Sequence, residues 1–292
     1  MKDFVLVCDS ACDLPNDFKK ELNVDTISLV CNFKGKEYFD DGESLSIEEF
    51  YQGIRDGEMP TTSQINTYRF VEFFTPYAEK GVDVLYLAFS SHLSGTYASS
   101  LSAKNELLEK YPDFNLQIVD TRSASLGYGL LVSTCAEMKK EGKSLEEVMA
   151  FAEENKFNLH HIFTVDDLNH LKRGGRVSAT AAVLGSILGI KPVLYMPCDG
   201  SLQNFSKARG RKAALKELID TTARHIKDAE NQRIFISHSQ CIEDANWVAK
   251  ELKEKFNVKD VYINSIGVVI GAHTGIGTIA VFFYGDNREP VK

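Results

Sequence analysis

The first half of the chain alternates short apolar segments with amphipathic ones, and this alternation restricts the fold more than any other feature. FVLVCDS (residues 4–10), DVLYLAF (83–89) and LQIVDT (116–121) have the composition of buried strands. Helical spacing follows the last two, at residues 97–111 and about 125–140. A βαβ series of this kind predicts a Rossmann-like N-terminal domain with a parallel sheet.

The second half of the chain has a different pattern. HHIFTV, KPVLYMP, RIFISHS, DVYINSI and TIAVFFYG are typical of strands, and Asp199-Gly200 indicates a hairpin. Adjacent strands and hairpins favour a mixed or antiparallel sheet with helices packed against it. We therefore predict an α/β protein of two closely packed domains, residues 1–157 and 158–292.

Length and charge exclude several classes of protein. The chain has 292 residues, a formal net charge of -8 and six cysteines without a C-x-x-C pair. The negative charge repels phosphate backbones and so argues against nucleic-acid binding. The amino terminus lacks a signal-peptide pattern, and no apolar run approaches the length of a membrane span. These features predict a cytoplasmic protein with reduced thiols.

Two segments rich in hydroxyl groups are candidates for a binding site. FSSHLSGTYASS (89–100) follows the strand DVLYLAF, and Thr61–Gln64 precede an amphipathic helix. Ligands in α/β folds bind at the carboxyl ends of strands. Each segment alone is typical of a helix cap. Together they can converge on an anion, which hydroxyls and backbone N–H groups bind without a buried arginine.

Two further segments contain polar residues whose role stays open. In CDSACDLP (8–15), Asp9, Ser10 and Asp13 fit either a capping turn or a ligand site. In residues 267–285, glycines surround His273 and Thr274, but the spacing is not G-x-G-x-x-G and a strand follows. We reject a nucleotide site there and expect a loop that bends closely around a ligand.

Basic residues occur in two clusters. Arg173 and Arg176 flank a glycine pair, and KARGRK places Lys207, Arg209 and Arg211 on one side if it is extended. Ser178 is expected to cap a small-residue helix at about 180–189.

The segment HHIFTVDDLNH (160–170) contains three histidines and two aspartates. Adjacent histidines on a strand point to opposite faces. We therefore expect no metal site in this segment.

Six motifs in order resemble one known family. They are D-S-x-x-D-L-P, P-x-T-S-Q, S-x-L-S-G-T-Y, V-D-T-x-x-A-S-x-G, G-G-R-V-S and the terminal G-x-H-x-G-x-G, and they cover nearly the whole chain. As a set they resemble the DegV family of fatty acid-binding proteins. Two family prolines are replaced, by Ile65 after T-S-Q and by Ile276 in the terminal motif.

The resemblance implies a long-chain fatty acid held between two α/β domains, with no cofactor. Its carboxylate would be held by Thr62 and Ser94, with Ser63, His273 and Thr274 as further ligands. Members with known activity are the lipid-binding subunit of a bacterial fatty acid kinase in phospholipid metabolism, without an ATP site of their own. The carboxylate is presented to a separate ATP-binding subunit, and Arg173, Arg176 and Arg209 are candidates for contact with that partner or with phosphate. Transient contact with a membrane surface is a further expectation for such a carrier.

Two alternatives remain open at this stage. A serine hydrolase would use Ser94 or Ser91 with His92 or His273, but the sequence lacks a G-x-S-x-G elbow and a clearly placed acid. A protein that stores or senses lipid without a kinase partner has the same sequence features.

Overall fold

The computed structural model describes residues 3–178 and 189–288. The elements of its first part, in chain order, are β1 (Phe4–Asp9), α1 (Asn16–Glu21), β2 (Val24–Ile27), β3 (Val30–Phe33), β4 (Lys36–Phe39), α2 (Ile47–Arg55), β5 (Thr61–Ser63), α3 (Thr67–Lys80), β6 (Asp83–Ala88), α4 (Thr96–Lys110), β7 (Leu116–Asp120), α5 (Ser125–Lys140) and α6 (Leu145–Asn155). Strands β2-β1-β6-β7 form a parallel sheet in that order. The predicted Rossmann-like N-terminal domain is confirmed.

The second part contains β8 (Leu159–Thr164), α7 (Asn169–Arg173), β9 (Ile190–Tyr195), β10 (Gln203–Arg209), α8 (Arg211–His225), β11 (Arg233–His238), α9 (Ile242–Phe256), β12 (Asp260–Ser265), α10 (Val268–Thr274) and β13 (Ile279–Tyr284). Six strands form one sheet in the order β10-β9-β8-β13-β11-β12. Among the described strands of this sheet, β11 and β12 alone pair in parallel, so the sheet is mixed, as predicted. The division at residue 157 stays a prediction, between the end of α6 and the start of β8.

Local signals account for several helix boundaries. The Ser46 hydroxyl accepts a hydrogen bond from the Glu49 N–H at the start of α2, and Ser144 and Glu147 form a complete capping box at α6. Gly81 ends α3 with a left-handed backbone, φ 61°. Lys34 and Gly35, both with positive φ, form the turn of the hairpin that joins β3 and β4.

The structure corrects the sequence prediction in three places. Thr61–Ser63, expected in a loop, form strand β5, which pairs with β3 in a small antiparallel sheet β4-β3-β5. Residues 268–274, also expected in a loop, form α10. Helix α1 was not predicted, because it is six residues long and only partly buried. The helix predicted at 180–189 lies almost wholly outside the described residues.

Helix α5 packs between the two domains. Its residues 125–133 are all buried, and the helix contacts β8, β11 and β13 of the mixed sheet. Gly127 makes this approach possible, since a Cβ there would lie 2.3 Å from His161 Nε2 and 2.6 Å from Phe282 Cδ1. A single buried apolar cluster therefore continues from the first domain into one face of the mixed sheet.

No helix within the described residues is long and apolar enough to cross a membrane.

Candidate functional site

A cavity of about 190 Å³ lies where the two domains meet. On the same volume scale one water needs roughly 15 Å³, so the cavity is far larger than a packing defect. Its wall is largely apolar, with contributions from both domains that include Phe89, Leu93, Phe163, Met196, Val269 and Phe282. Such a wall favours an elongated apolar group over a polar ligand.

One part of the cavity wall is polar and is formed by residues of both domains. Thr62 of β5 and His273 of α10 line the cavity, and Thr62 Oγ1 lies 2.8 Å from His273 Nε2. Thr274 also lines the cavity, and its hydroxyl donates to the Ile270 carbonyl. The structure thus brings together residues of two motifs that lie 211 residues apart in the sequence.

Ser94 lies in the same wall, just before α4. Its Oγ is 2.9 Å from Thr96 Oγ1 and accepts from the Thr96 N–H. Gln64, also in the wall, donates from Nε2 to the Ser99 hydroxyl. The two hydroxyl-rich segments predicted from the sequence are therefore adjacent. They are held together by side-chain hydrogen bonds between β5 and the start of α4.

Glycines allow chain segments to approach each other closely around His273. A Cβ on Gly174 would lie 2.1 Å from His273 Nδ1, and a Cβ on Gly275 would lie 2.5 Å from the His170 ring. Gly275 has φ 72°, which disfavours other residues. The expected loop is wrong, because His273 belongs to a helix, and close approach of this segment to a ligand stays a prediction.

His273 has an electrostatic setting that keeps it neutral. Burial, with a smaller contribution from the Arg176 charge, lowers the pKa of His273 to about 4. Its Nδ1 is buried without a hydrogen-bond partner within the described residues. Arg176 lines the cavity and donates from Nε to the Leu93 carbonyl at 2.9 Å. Neutral donors and one nearby positive charge are suited to an anionic group.

The other predicted residues lie outside the cavity wall. Ser63 is exposed and accepts from Asn32 Nδ2 at 3.2 Å, because neighbouring strand residues face opposite sides and Thr62 takes the inner one. Arg173 and Arg209 are exposed, on α7 and on the edge strand β10. Arg173 Nη2 contacts His170 Nδ1 at 2.9 Å, so this arginine lies beside the segment that approaches Gly275.

The histidine pair of β8 points to opposite faces, as predicted. His161 lines the cavity, whereas His160 stacks on Phe283 and lies 3.2 Å from Asp286. His225 Nδ1 contacts the same Asp286 oxygen at 2.9 Å, and the two imidazoles stack at 23° between planes. The hydrogen bonds of both imidazoles to Asp286 account for this cluster.

The structure does not assemble a hydrolase triad from the predicted residues. His273 Nε2 contacts Thr62, and no carboxylate binds its Nδ1 in the part of the chain that is described. The Ser94 hydroxyl pairs with Thr96, and His92 is exposed. A triad needs a histidine that bridges the nucleophile and an acid.

The cavity wall contains a second set of polar side chains that was not predicted from the sequence. Ser125 and Ser237 both line the cavity, and their hydroxyl oxygens lie 3.1 Å apart. Ser125 Oγ also lies 2.5 Å from Asp13 Oδ2, while Asp13 Oδ1 accepts from the Gly267 N–H. Burial raises the pKa of Asp13 to about 8. The A-S-x-G motif contained Ser125, but nothing in its spacing indicates contact with Ser237.

Asp9 caps a turn, which was one of the two roles that the sequence left open for it. Its side chain accepts from the Ala11 N–H and so caps the short 3₁₀ turn Ser10–Cys12. The same carboxylate also accepts from the Tyr86 hydroxyl and the Phe89 N–H. This carboxylate therefore supports the loop that starts the hydroxyl-rich segment.

Fold and site define a class: a two-domain α/β protein that encloses an apolar cavity with a polar wall section contributed by both domains. The DegV family model matches residues 3–286 of the sequence. The chain belongs to the DegV family.

Similar proteins cover almost the full length of the chain. A DegV domain-containing protein of Clostridium perfringens is 55% identical over 99% of this chain and 100% of its own. A fatty acid-binding DegV family protein from Thermus thermophilus has 33% identity and a TM-score of 0.88, covering 97% of this chain and 99% of its own. A Thermotoga maritima protein whose structure reveals fatty acid binding has 30% identity and a TM-score of 0.84, covering 98% of this chain and 100% of its own. Fatty acid binding is thus shown for members of the family.

The low pKa of His273 predicts a measurable titration. The ordinary histidine pKa is 6.5. Between pH 6.5 and about 4, His273 therefore binds a proton in the unfolded chain but stays neutral in the folded protein. The stability that neutral His273 contributes is complete above pH 6.5 and is lost as the pH falls through this window. An NMR titration, with the signal assigned by its absence in His273→Gln, should show a midpoint near pH 4. A midpoint at or above 6.5 would contradict the description of this site.

Proposed function

We propose that this protein binds one long-chain fatty acid in the cavity between its domains, with the carboxylate at Thr62, Ser94, His273 and Thr274. The observation that carries the proposal is the contact of Thr62 with His273 at the polar part of an otherwise largely apolar cavity. Fatty acid binding by the Thermus thermophilus and Thermotoga maritima relatives supports it. Ser63 is left out, because its side chain faces solvent.

The energetics suit such a ligand. Burial of an alkyl chain gains about 0.8 kcal/mol per CH₂, so a dozen methylenes contribute on the order of 10 kcal/mol before the costs of binding. The polar groups then need only to orient the carboxylate. Arg176, which lines the cavity and lowers the pKa of nearby His273, supplies a favourable positive potential for an anion.

The proposed ligand can be tested by native mass spectrometry and displacement titration. We expect one fatty acid per chain, and we expect the methyl ester of the same acid to bind about 10- to 100-fold more weakly, since it loses charge-assisted hydrogen bonds but keeps the tail. The ester is a matched control for apolar burial alone. Absence of any fatty acid uptake, or equal affinity for acid and ester, would contradict the proposal.

We further propose that the bound carboxylate is presented to a separate ATP-dependent kinase subunit. In that reaction a carboxylate oxygen attacks the γ-phosphorus of ATP, the bond to the ADP oxygen breaks, and acyl phosphate and ADP form. The chain supplies orientation rather than nucleotide binding, so its own role is non-catalytic. The sequence resemblance to kinase lipid-binding subunits supports this step, and the polar part of the cavity wall is where such a partner would have to reach.

Removal of the proposed carboxylate ligands should separate binding from transfer. We expect Thr62→Ala with Ser94→Ala to retain fatty acid binding through the tail, but to lose roughly tenfold or more of acyl-phosphate formation, because the carboxylate is no longer held in one position. Hydroxylamine trapping of acyl phosphate, with ATP and the kinase subunit present, measures the transfer. The matched control is Thr61→Ala, an exposed neighbour on the opposite face of β5. Full transfer by the double variant would contradict the assignment.

The exposed arginines provide a test of the partner surface. Arg173 and Arg209 are exposed cations on a chain of net charge -8. We propose that they contact the kinase subunit or its phosphates. Charge reversal by Arg173→Glu with Arg209→Glu should leave fatty acid affinity unchanged and weaken kinase-coupled turnover, whereas Lys250→Glu on the exposed side of α9 should change neither. Unchanged turnover in the double variant would remove these residues from the interface.

A further inference from the structure

The cross-strand register locates Ser237 in the cavity wall. Ser237 on β11 pairs with Ala280 on β13, and Ala280 pairs with Phe163 on β8. Residues directly opposite in antiparallel strands share a face, so the three form one row of the wall. All three line the cavity. The Ser237 hydroxyl therefore belongs to an otherwise apolar row.

This row lies at some distance along the sheet from His273 and Thr274, which are proposed to bind the carboxylate. Thr278 lies two residues before Ala280 and donates to the Thr274 carbonyl at 3.2 Å, which puts it beside the end of α10. Two residues of extended chain span about 7 Å. A ligand whose carboxylate lies at His273 and Thr274 would therefore meet Ser237 partway along its tail.

Ser125, whose hydroxyl lies next to that of Ser237, has a strained backbone conformation. It has φ 52°, a left-handed backbone that is uncommon for a residue other than glycine. Its hydroxyl lies between Asp13 and Ser237, at 2.5 and 3.1 Å. The backbone strain and the two contacts fix this hydroxyl at the start of α5, where it lines the cavity.

A proton count shows that the serine pair has unused hydrogen-bonding capacity. One hydroxyl carries one proton and two lone pairs. If Asp13 is ionised, Ser125 donates to it and accepts from Ser237. If Asp13 is protonated, it donates to Ser125, which donates to Ser237. Ser125 keeps one free lone pair in both states. Ser237 keeps two lone pairs in the first state, and one lone pair and its proton in the second. No other partner of the Ser237 hydroxyl occurs in the described residues.

A methylene of a plain fatty acid cannot satisfy this capacity, whereas a hydroxyl group can donate to it or accept from it. We propose that the cavity accommodates fatty acids that carry a hydroxyl group partway along the chain, and that Ser125 and Ser237 bind this hydroxyl. This inference rests on the proposed binding of fatty acids and names a ligand class within it. The adjacent row, with His161 opposite Phe282, adds a further polar side chain to the same wall.

The test compares octadecanoic acid with a series of hydroxyoctadecanoic acids that differ only in the position of the hydroxyl. In displacement titrations we expect at least one mid-chain isomer to bind as tightly as octadecanoic acid or more tightly. Isomers with the hydroxyl at the tail end should bind more weakly, because that hydroxyl loses its contacts with water and does not lie beside Ser125 and Ser237.

Two variants remove the proposed contacts. Ser237→Ala and Ser125→Gly should each lower the affinity ratio of the preferred hydroxy acid to octadecanoic acid by roughly 3- to 10-fold. Glycine is used at position 125 because it tolerates φ 52°. The control is Ser133→Ala, a buried serine of α5 that donates to the Leu130 carbonyl and is not part of the cavity wall; its ratio should not change.

The outcomes separate this inference from the proposed function. If octadecanoic acid binds and every hydroxy isomer binds more weakly than it does, or if the ratio is unchanged in both variants, the inference is wrong and fatty acid binding stands. If no acid binds to the wild-type protein, the proposed function is wrong and the inference falls with it.

Discussion

The hydrogen bond between Thr62 and His273 is the interaction on which the site depends. It joins side chains 211 residues apart, one from the small antiparallel sheet of the first domain and one from a short helix of the second. Because each domain contributes only part of the polar wall, the site exists only while the domains are packed together. Helix α5 provides that packing, with Gly127 allowing the mixed sheet to approach.

Electrostatics at the polar part of the cavity wall favour an anion. Burial keeps His273 neutral at pH 7, so the imidazole can donate one hydrogen bond without carrying a buried charge. Arg176 is tied to the Leu93 carbonyl and stays beside the polar wall section. Neutral donors with a fixed cation nearby avoid most of the desolvation cost of a buried ion pair. The apolar part of the cavity can then supply affinity while this section supplies orientation.

Local patterns predicted much of the fold, whereas the site required the tertiary structure. The βαβ series and the Asp199-Gly200 hairpin follow from periodicity and turn chemistry, which act over a few residues. Strand β5 could not be predicted from its own polar residues, because pairing with β3 creates it. The motifs that resemble the DegV family identified Thr62, Ser94 and His273. The contact of Ser125 with Ser237 joins the domains and has no signal in either segment.

A crystal structure of the protein with a bound long-chain fatty acid tests the central claim most directly. The account predicts electron density for the alkyl chain in the cavity between the domains. It predicts a carboxylate oxygen at hydrogen-bond distance, about 2.6–3.2 Å, from Thr62 Oγ1, whose hydroxyl donates to the carboxylate while it accepts from the His273 Nε2–H. It predicts no contact of the carboxylate with Ser63. A fatty acid bound elsewhere, or one in the cavity whose carboxylate lies away from both Thr62 and His273, would contradict the account.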